Sequence, residues 1–524
     1  MKAMLGKQNR QTSFMDIETW YGGPIVKPES IYGLLDSWGD RLIKDEDFAE
    51  LFSATGRPSV SPALLSKVLL LMYHDNVSDR EAQERAQYDL RWKVALRLPI
   101  NEAGFDYTAL CRFRARLLIN KQQKLVFERF LHLAKEAGIV KDGNLQIIDS
   151  SHILGAGAVQ DTYMLIKTAI QKLLKVRQKN HPQKSDLVFK LDYSQKGKPD
   201  IDWENEEARQ QLLQSLVEDS HTLLAAINNM DHTKEEQVAA ELLATITEQD
   251  IEISPEGKVR LRDGVAKDRI ISVEDPQMRH GHKTSRGKFN GHKGQIMMDE
   301  ASEIITNVEV TPGNQADGDA VDEMLTSTTV KPGMIMGDTA YGTLSARESA
   351  EEHKAIPVAP LPTGKTDPSD QFSKYNFRID WETMTCTCPF EQSTTKTYID
   401  QKTGDLKAFV FDKSQCGHCP FRHQCFGKGK RRTVSVHPQE QKRRAILEQT
   451  KTPEFKDLYR NRAKIERKVA HVMNHGMRKS RYIGREKTLI QLAYKAAGVN
   501  LKRIFQFTKG DVSKLDSLTR ALGI

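Results

Sequence analysis

Apolar residues recur with helical spacing near the start of the chain, and this pattern predicts a helical N-terminal region. The predicted helices lie at 61–74, 78–98 and 106–118. The first has Ser61 where an N-cap is expected, followed by Pro62 at the first helical position. The second begins at another cap, Ser78, with Glu81 three residues later. This part of the chain is therefore expected to form several short helices.

Short apolar runs farther along the chain predict strands. Residues 144–153 predict a buried strand whose apolar run ends in Asp149, and 332–343 predict a second that ends in Asp338. Between them, 293–314 predicts two strands joined by a polar turn. The helical pattern returns in 161–250, around a polar break at 178–205, and in 453–506, with a turn near 482–486. Helices and strands therefore alternate along one chain.

Composition is that of a globular protein with several domains. The chain has 524 residues, of which 38% are hydrophobic and 28% are charged, and this balance suits a packed core. No apolar run approaches the roughly 20 residues of a membrane helix, and the first residues lack a secretory pattern. Five of the six cysteines crowd into 386–425, which is not a disulfide scaffold. We therefore expect a soluble, cytoplasmic protein.

Positive charge is concentrated in a few stretches. The net charge is +8, but residues 460–509 hold 14 Lys and Arg against two acids, so the remainder of the chain sums to −4. Residues 279–293 hold five Lys and Arg, three His and no acid, and 428–432 read KGKRR. Separated basic stretches favour a polyanionic partner, most economically nucleic acid. The alternative is a set of solvated helix faces.

Two carboxylates are predicted at corresponding places. The segments IIDSS (147–151) and IMGDTAY (335–341) each join an apolar strand to an aspartate. A rigid strand fixes such a carboxylate, and Mg²⁺ prefers hard oxygen ligands. Two ions held in this way can stabilise the attacking and leaving oxygens of phosphoryl transfer. One such aspartate alone would be read as a helix N-cap or turn residue, but a matched pair favours a metal site.

Glu466 is the candidate third carboxylate. It stands among basic residues, where a plain salt bridge is the alternative. Tyr459, Arg462 and Glu466 are spaced i, i+3, i+7, so they share one face of a helix. On that face, Arg462 could hold a phosphate while Glu466 reaches the metal.

These residues resemble those of bacterial insertion-sequence transposases of the DDE type, over most of the chain. The shared motifs are Asp149 on the first core strand, Gly337-Asp338-Thr339-Ala340-Tyr341, Tyr459-x2-Arg462-x3-Glu466, FNGHKG and VTPGN within 289–314, and the closing helix 484–504. The stretch Thr108–Arg116 is similar to part of the family's N-terminal helical domain. One subgroup adds a Lys seven positions after the Glu, where this chain has Met473. That basic role is open between Lys468, Arg478 and Lys479.

The resemblance implies an α/β fold with an RNase H-like catalytic core. An N-terminal helical DNA-binding domain would occupy 1–135, and the core would occupy 140–350 plus 445–510. A mainly helical insertion would cover 155–265, and a Cys-rich insertion would cover 351–444. For the helical insertion, dimerisation and DNA contact are both open roles.

The resemblance also implies a reaction and its partners. Asp149, Asp338 and Glu466 would hold two Mg²⁺ or Mn²⁺ ions for cleavage of double-stranded DNA at the element's ends and strand transfer into target DNA. The N-terminal helices would recognise terminal inverted repeats, and a homo-oligomer would act on paired ends at the nucleoid. The residues expected to contact DNA are Tyr459, Arg462, Arg112, Arg114, Arg116, Lys283, Arg286, Lys288, Lys293, Arg478, Lys479 and Arg481.

Two other functions fit the same residues. A domesticated transposase could serve as a non-catalytic DNA-binding regulator, and a nuclease on the same core could cut DNA without joining it. The presence of all three acids argues against the regulator, and strand transfer would distinguish the transposase from the nuclease. A kinase or nucleotide hydrolase is disfavoured because no Gly-rich phosphate loop followed by Lys-Ser/Thr is present.

The clustered cysteines favour a structural zinc ion. Cys416 and Cys419 have the two-residue spacing of a tetrahedral site, and Cys388 and Cys425 would complete four thiolates. The competing ligands are Cys386, His418 and His423. Free thiols around a small hydrophobic knot are the alternative. A zinc ion would stabilise an insertion that is too small and polar to form a large core.

Overall fold

A computed structural model describes residues 4–7, 24–182, 187–228, 232–282, 287–364 and 367–507. Its α-helices are α1 Ile31–Leu42, α2 Pro62–Asp75, α3 Asp79–Tyr88, α4 Leu90–Leu96, α5 Thr108–Ile119, α6 Leu125–Glu136, α7 Thr162–Asn180, α8 Glu206–Asn228, α9 Lys234–Asp250, α10 Val321–Ser327, α11 Leu344–Glu352, α12 Lys413–Gly417, α13 Arg422–Phe426, α14 Glu440–Lys451, α15 Pro453–Tyr459, α16 Ala463–Val472 and α17 Arg485–Phe507. Its strands are β1 Leu145–Leu154, β2 Ile251–Ile253, β3 Val259–Leu261, β4 Arg279–His282, β5 Lys288–Asp299, β6 Ile305–Pro312, β7 Met334–Met336, β8 Ile356–Val358, β9 Arg378–Asp380, β10 Thr385–Thr387, β11 Ser393–Thr394, β12 Thr397–Ile399, β13 Leu406–Val410 and β14 Thr433–Ser435. The protein is therefore a mixed α/β protein.

The N-terminal region is helical, as predicted, and its helices begin at the expected caps. The Ser61 hydroxyl accepts a hydrogen bond from the Leu64 amide at 3.0 Å, and Pro62 opens α2. The stretch predicted as one helix at 78–98 is two helices, α3 and α4. Asp89 separates them, because its carboxylate accepts from the Arg91 amide at 2.9 Å and thereby caps α4.

The largest sheet is mixed and has β1 near its centre. Its strands follow the order β4-β5-β1-β7-β8, and β6 also pairs with β5. β1, β5 and β6 run antiparallel to one another in turn, whereas β7 and β8 run parallel to β1. The predicted strand pair at 293–314 corresponds to the second half of β5 and to β6. β1 therefore has an antiparallel neighbour, β5, on one side and a parallel neighbour, β7, on the other.

β1 is longer than its apolar run predicts. The strand spans Leu145–Leu154, within one residue of the predicted 144–153, and continues five residues beyond Asp149, where the apolar run ends. Antiparallel pairing with β5 along its whole length sustains the extra residues, from Gln146 opposite Asp299 to Leu154 opposite Gly291. β7, in contrast, ends at Met336, so one edge of β1 is left open beside Asp149.

The N-terminal helices and the sheet share one hydrophobic core, and α17 is its centre. α17 packs against β6 and against α1, α2 and α6, and most of its side chains are buried. Two hydroxyl contacts cross the same boundary, from Tyr494 to Ser66 and from Tyr73 to Tyr482. The largest cluster of buried apolar residues accordingly runs from Ile31 to Ile504. The helices before β1 and the helices α16 and α17 thus share one hydrophobic core.

Two insertions have hydrophobic clusters of their own. The helical insertion consists of α7, α8, α9 and the β2–β3 hairpin, and its apolar side chains pack on one another. The Cys-rich insertion consists of two small three-stranded sheets and the short helices α12 and α13, around a core that includes Phe377 and Phe409. Among the described residues, no helix is long and apolar enough to cross a membrane.

Candidate active site

Asp149 of β1 and Asp338, two residues beyond the end of the parallel strand β7, lie at corresponding positions. Ile147 of β1 pairs with Met336 of β7, and each aspartate follows two residues later. The Asp149 carboxylate accepts a hydrogen bond from the Ser150 amide at 2.8 Å. Asp338 also caps the 3₁₀ turn Thr339–Tyr341, because its carboxylate accepts from the Ala340 amide at 2.8 Å. Asp338 therefore has the N-cap role considered from the sequence and stands beside Asp149 as well.

The charge around Asp149 is poorly compensated. Burial, together with the neighbouring carboxylates of Asp338 and Asp317, raises the pKa of the Asp149 carboxyl to about 6, against the Ser150 amide and the Arg462 guanidinium. Burial and nearby like charge both disfavour the ionised form of Asp149. A cation placed between these carboxylates would remove that cost, which is the usual reason for such carboxylate pairs at metal sites.

Glu466 reaches the same region from α16, which packs against β1. Burial raises the pKa of the Tyr459 phenol, and Asp338, Asp149 and Glu466 all add to that shift, so Tyr459 lies among the three acids. Glu466 is half-exposed and accepts a hydrogen bond from Arg462, as the salt-bridge alternative predicted. The described residues contain no group of three or more His, Cys, Asp or Glu placed to hold a metal ion.

Asp317 is a fourth acid at this site that sequence reasoning missed. Its carboxylate accepts from Lys293 Nζ at 3.0 Å and lies 3.4 Å from Gln295 Nε2. The buried Tyr341 hydroxyl donates to Gln295 Oε1 at 2.7 Å, which ties the second motif to the same network. Asp317 follows the VTPGN turn after β6, and an acid after a turn carries no periodic signal. Lys293, predicted as a DNA contact, is thus an ion-pair partner inside the site.

The remaining predicted DNA contacts fall into different surroundings. Arg112, Lys288 and Lys479 are exposed. Arg478 is half-buried at the far end of β1, where it donates to the Ser151 hydroxyl at 2.9 Å. Two further predicted contacts, Lys283 and Arg286, lie outside the described residues.

Three predicted DNA contacts have hydrogen-bond acceptors within the protein. Arg114 is buried, forms two hydrogen bonds to the Asp79 carboxylate, and lies over the Tyr482 ring. Arg116 donates to the Leu51 carbonyl at 3.2 Å. Arg481 donates to the Asn76 side chain and to the Val77 carbonyl. Each guanidinium is thus tied to the protein, and its contact with DNA stays a prediction.

A basic pocket of about 390 Å³ adjoins the acids. Its lining includes Lys293 and Gln315, which contact each other, and Lys293 also contacts Asp317. The basic side chains in its wall are Lys267, Arg269, Arg279, His280, His282 and Lys293. Arg269 and Arg279 are paired with carboxylates, which fixes their positions. The pocket gives the acid cluster a positively charged flank.

Four of the clustered cysteines line the same cavity. Cys388, Cys416, Cys419 and Cys425 line one apolar cavity, and burial together with the neighbouring sulfurs raises the pKa of the Cys425 thiol. Cys386 is different: it is fully buried in the core of the insertion, and burial raises its pKa to about 11.

Two family models match the chain. Residues 387–505 match a transposase DDE domain, and residues 24–116 match a transposase domain (DUF772). A search of the curated proteins gave no match. Among solved structures, the cryo-EM structure of the piggyBac transposase synaptic complex with hairpin DNA is similar over 94% of this chain and 85% of that chain, at 10% identity. Its TM-score of 0.23 is too low to establish a common fold.

The two family matches lie toward opposite ends of the chain. The DDE-domain match contains Glu466 and four of the clustered cysteines, and the other match contains α1 to α4 and most of α5. They agree with the motifs in the sequence, and both matches support its similarity to insertion-sequence DDE transposases.

Proposed function

We propose that this transposase cuts double-stranded DNA at the ends of its element and joins the freed strands to target DNA. The observation that carries the proposal is the parallel register of β1 and β7, which sets Asp149 and Asp338 side by side. Tyr459 and Arg462 bring the third motif, with Glu466, to the same pair of acids. Three motifs far apart in sequence thus meet around one site.

The acids fit a pair of divalent cations. Asp149 and Asp338 would hold Mg²⁺ or Mn²⁺, and Glu466 would join them after release from Arg462. The donor set is hard oxygen, which suits these cations, and the carboxylates of Asp338 and Asp317 lie near Asp149. Bound there, the ions would supply Lewis acidity and a lowered pKa for an attacking hydroxyl. Arg462, once free of Glu466, would bind a phosphate oxygen.

The RNase H-like character of the core is part of this proposal. The order of the strands supports it, because the first core strand carries the first acid and lies between an antiparallel pair and two parallel strands. β5 and β6 occupy the places expected for the second and third core strands. In this proposal, the helical insertion (155–265) and the Cys-rich insertion (351–444) would interrupt the core.

DNA is the proposed polyanion. The basic pocket beside the acids and the exposed Lys288 would contact the phosphate backbone near the cleavage site. The N-terminal helices would read the terminal inverted repeats, and Arg112 is the arginine of α5 that stays available for this contact. A homo-oligomer would hold paired ends.

The proposal is tested with purified protein and labelled duplexes that carry the element's own ends. We expect Mg²⁺-dependent nicking at the end, followed by joining to a second duplex, and no reaction in excess EDTA. Cleavage without joining would replace the transposase with a nuclease. Tight binding with neither reaction would favour the non-catalytic regulator.

Lys288→Ala is expected to weaken binding to every duplex to a similar extent. Loss of one phosphate contact should lower the slope of log K against log salt by about 0.9. The measurement is fluorescence anisotropy with specific and unrelated duplexes at several salt concentrations. Lys402→Ala, at an exposed position in the Cys-rich insertion, is the control and should leave the slope unchanged. An unchanged slope for Lys288→Ala would remove it from the DNA path.

The Cys-rich insertion is proposed to bind one structural zinc ion through Cys388, Cys416, Cys419 and Cys425. Support comes from their shared cavity, and from the burial of Cys386 in the core, which leaves four thiols rather than five. We expect about one zinc per chain by elemental analysis, and release of zinc when the four thiols are alkylated. Cys419→Ser should abolish zinc binding, whereas Cys386→Ala should retain it. A metal-free wild-type protein with an ordered insertion would show that the thiols form an apolar knot.

A further inference from the structure

A second cationic pocket lies away from the acids, where α2, α16 and α17 meet. His74 comes from α2, His471 from α16, and His475 from the π-helical turn that follows α16. Lys495 and Lys502 come from α17. The turn is bent back at Gly476, whose φ of +91° brings His475 over His471. The pocket opens to solvent because both of these histidines are exposed.

Lys495 is the unusual group in this pocket. Its side chain is 6% exposed, and its Nζ is buried without a hydrogen-bond partner. Burial of an unpaired ammonium lowers the free energy of unfolding, and no hydrogen bond to Lys495 Nζ compensates for this cost. Burial, with the nearby charge of Arg481, lowers the pKa of Lys495 to about 8. The other lysine, Lys502, is half-buried and has its pKa lowered by burial as well.

The nearest carboxylate does not neutralise these lysines. Asp75 accepts hydrogen bonds from the Tyr32 hydroxyl at 2.7 Å, from Arg85 at 2.9 Å and from the Trp92 indole at 2.8 Å. Both of its oxygens are thus turned toward the N-terminal helices. The pocket therefore has excess positive charge that is held in place by packing.

The histidines add donors that can respond to a ligand. Burial and the Lys502 ammonium lower the pKa of His74 to about 4, and burial and His475 lower the pKa of His471. Both rings are therefore neutral at pH 7 in the empty pocket, and each can still donate one N–H. A dianion would reverse the effect of the lysines and favour protonation of the rings. Histidine and lysine side chains that line one pocket suit a tetrahedral oxyanion.

We propose that this pocket binds a phosphate group, supplied either by the DNA backbone or as a free phosphate ion. The site is distinct from the acids, although His471 lies on the same helix as Glu466 and His74 lies on a helix of the N-terminal region. Occupancy would therefore tie the helix that carries the third acid to the N-terminal helices. The proposal does not depend on DNA cleavage, because phosphate binding can be measured without it.

The first experiment is equilibrium dialysis of the full chain with labelled inorganic phosphate at constant ionic strength. We expect one phosphate per chain to be lost, or weakened at least tenfold, in Lys495→Met. The matched control is Lys487→Met, which removes an exposed charge from the same helix. Equal phosphate binding by wild type, Lys495→Met and Lys487→Met would overturn the proposal.

Thermal unfolding gives a second measurement, in which the effect of Lys495→Met without phosphate is opposite to its effect with phosphate. Without phosphate, Lys495→Met should unfold at a higher temperature than wild type, because the unpaired ammonium is gone. With phosphate, only wild type should gain, by about 2 °C or more at saturating ligand. If Lys495→Met instead unfolds early, Lys502→Met at the pocket mouth decides, and an unchanged phosphate response in that variant would refute the site.

The pH dependence follows from the same burial. The pKa of Lys495 is about 8 in the folded chain and 10.5 when exposed, so the unfolded chain binds the extra proton between these values. Wild type should therefore gain stability relative to Lys495→Met as the pH rises from 8 to 10.5. The groups facing this lysine are Arg481, Asp75, Lys502 and the three histidines. An unchanged difference would mean that no buried ammonium is present.

A competition experiment with DNA distinguishes the two sources of phosphate. If a 20-base-pair duplex displaces labelled phosphate from wild type, the natural ligand is a backbone phosphate. If duplex and phosphate bind together, the pocket takes a free anion. In both cases Lys495→Met must lose the phosphate-dependent signal.

Discussion

Asp149→Asn is expected to lower the rate of strand cleavage by about a thousandfold or more. The substitution removes one carboxylate charge from a cation site that is worth several kcal/mol, and each 1.36 kcal/mol is tenfold in rate. Asp338→Asn should have a similar effect, and the double variant should lose little more, because residues that act as one unit are not additive. The measurement is single-turnover cleavage of an end duplex in Mg²⁺.

The controls for this prediction separate chemistry from folding. Asp319→Asn, an exposed acid two residues after Asp317, should cleave at the wild-type rate. DNA affinity of Asp149→Asn should be unchanged or slightly higher, since a negative charge has been removed near the backbone. Cleavage by Asp149→Asn within tenfold of wild type would place the reaction elsewhere in the protein.

Asp79→Ala is expected to cost about 3–5 kcal/mol of stability, because it leaves the buried Arg114 guanidinium unpaired. Arg114 is held between Asp79 and the Tyr482 ring, so the damage should loosen the contact between α3, α5 and the segment before α17. The measurement is urea unfolding followed by tryptophan fluorescence, in which Trp38 and Trp92 report on the N-terminal helices.

Arg112→Ala, on the exposed face of the same helix, should change stability by less than about 0.5 kcal/mol. It should instead weaken DNA binding if α5 faces DNA. The opposite result, a stable Arg114→Met variant that has lost only DNA binding, would restore the interpretation drawn from the sequence.

The elements that could be predicted from sequence are those with a periodic signal. β1, β5, β6 and α2 lie within a few residues of their predicted positions, since apolar runs and caps report local structure directly. The two aspartates could be paired in advance because parallel strands bring equivalent positions to one edge. Glu466 could be added because helical spacing links it to Tyr459 and Arg462.

The surroundings of the polar residues could not be predicted in this way. Arg114 and Arg112 belong to the same basic helix, but only tertiary packing decides that one is buried against Asp79 and the other is exposed. The role of Asp317 depends on the turn after β6, which brings its carboxylate to 3.4 Å from Gln295 Nε2. The pairing of Lys293 with it likewise joins positions that no local pattern connects.

The common core of α17 and the N-terminal helices has a consequence for synthesis. α17 is the last described helix to leave the ribosome. The apolar faces of α1, α2 and α6 that pack against it stay exposed until then. Until then, the N-terminal helices lack the partner that buries them, which makes their folding late and dependent on distant contacts. An incomplete chain would therefore have neither a finished recognition surface nor the helix behind its third acid. Nascent and prematurely ended products would be unable to occupy element ends in competition with the finished protein.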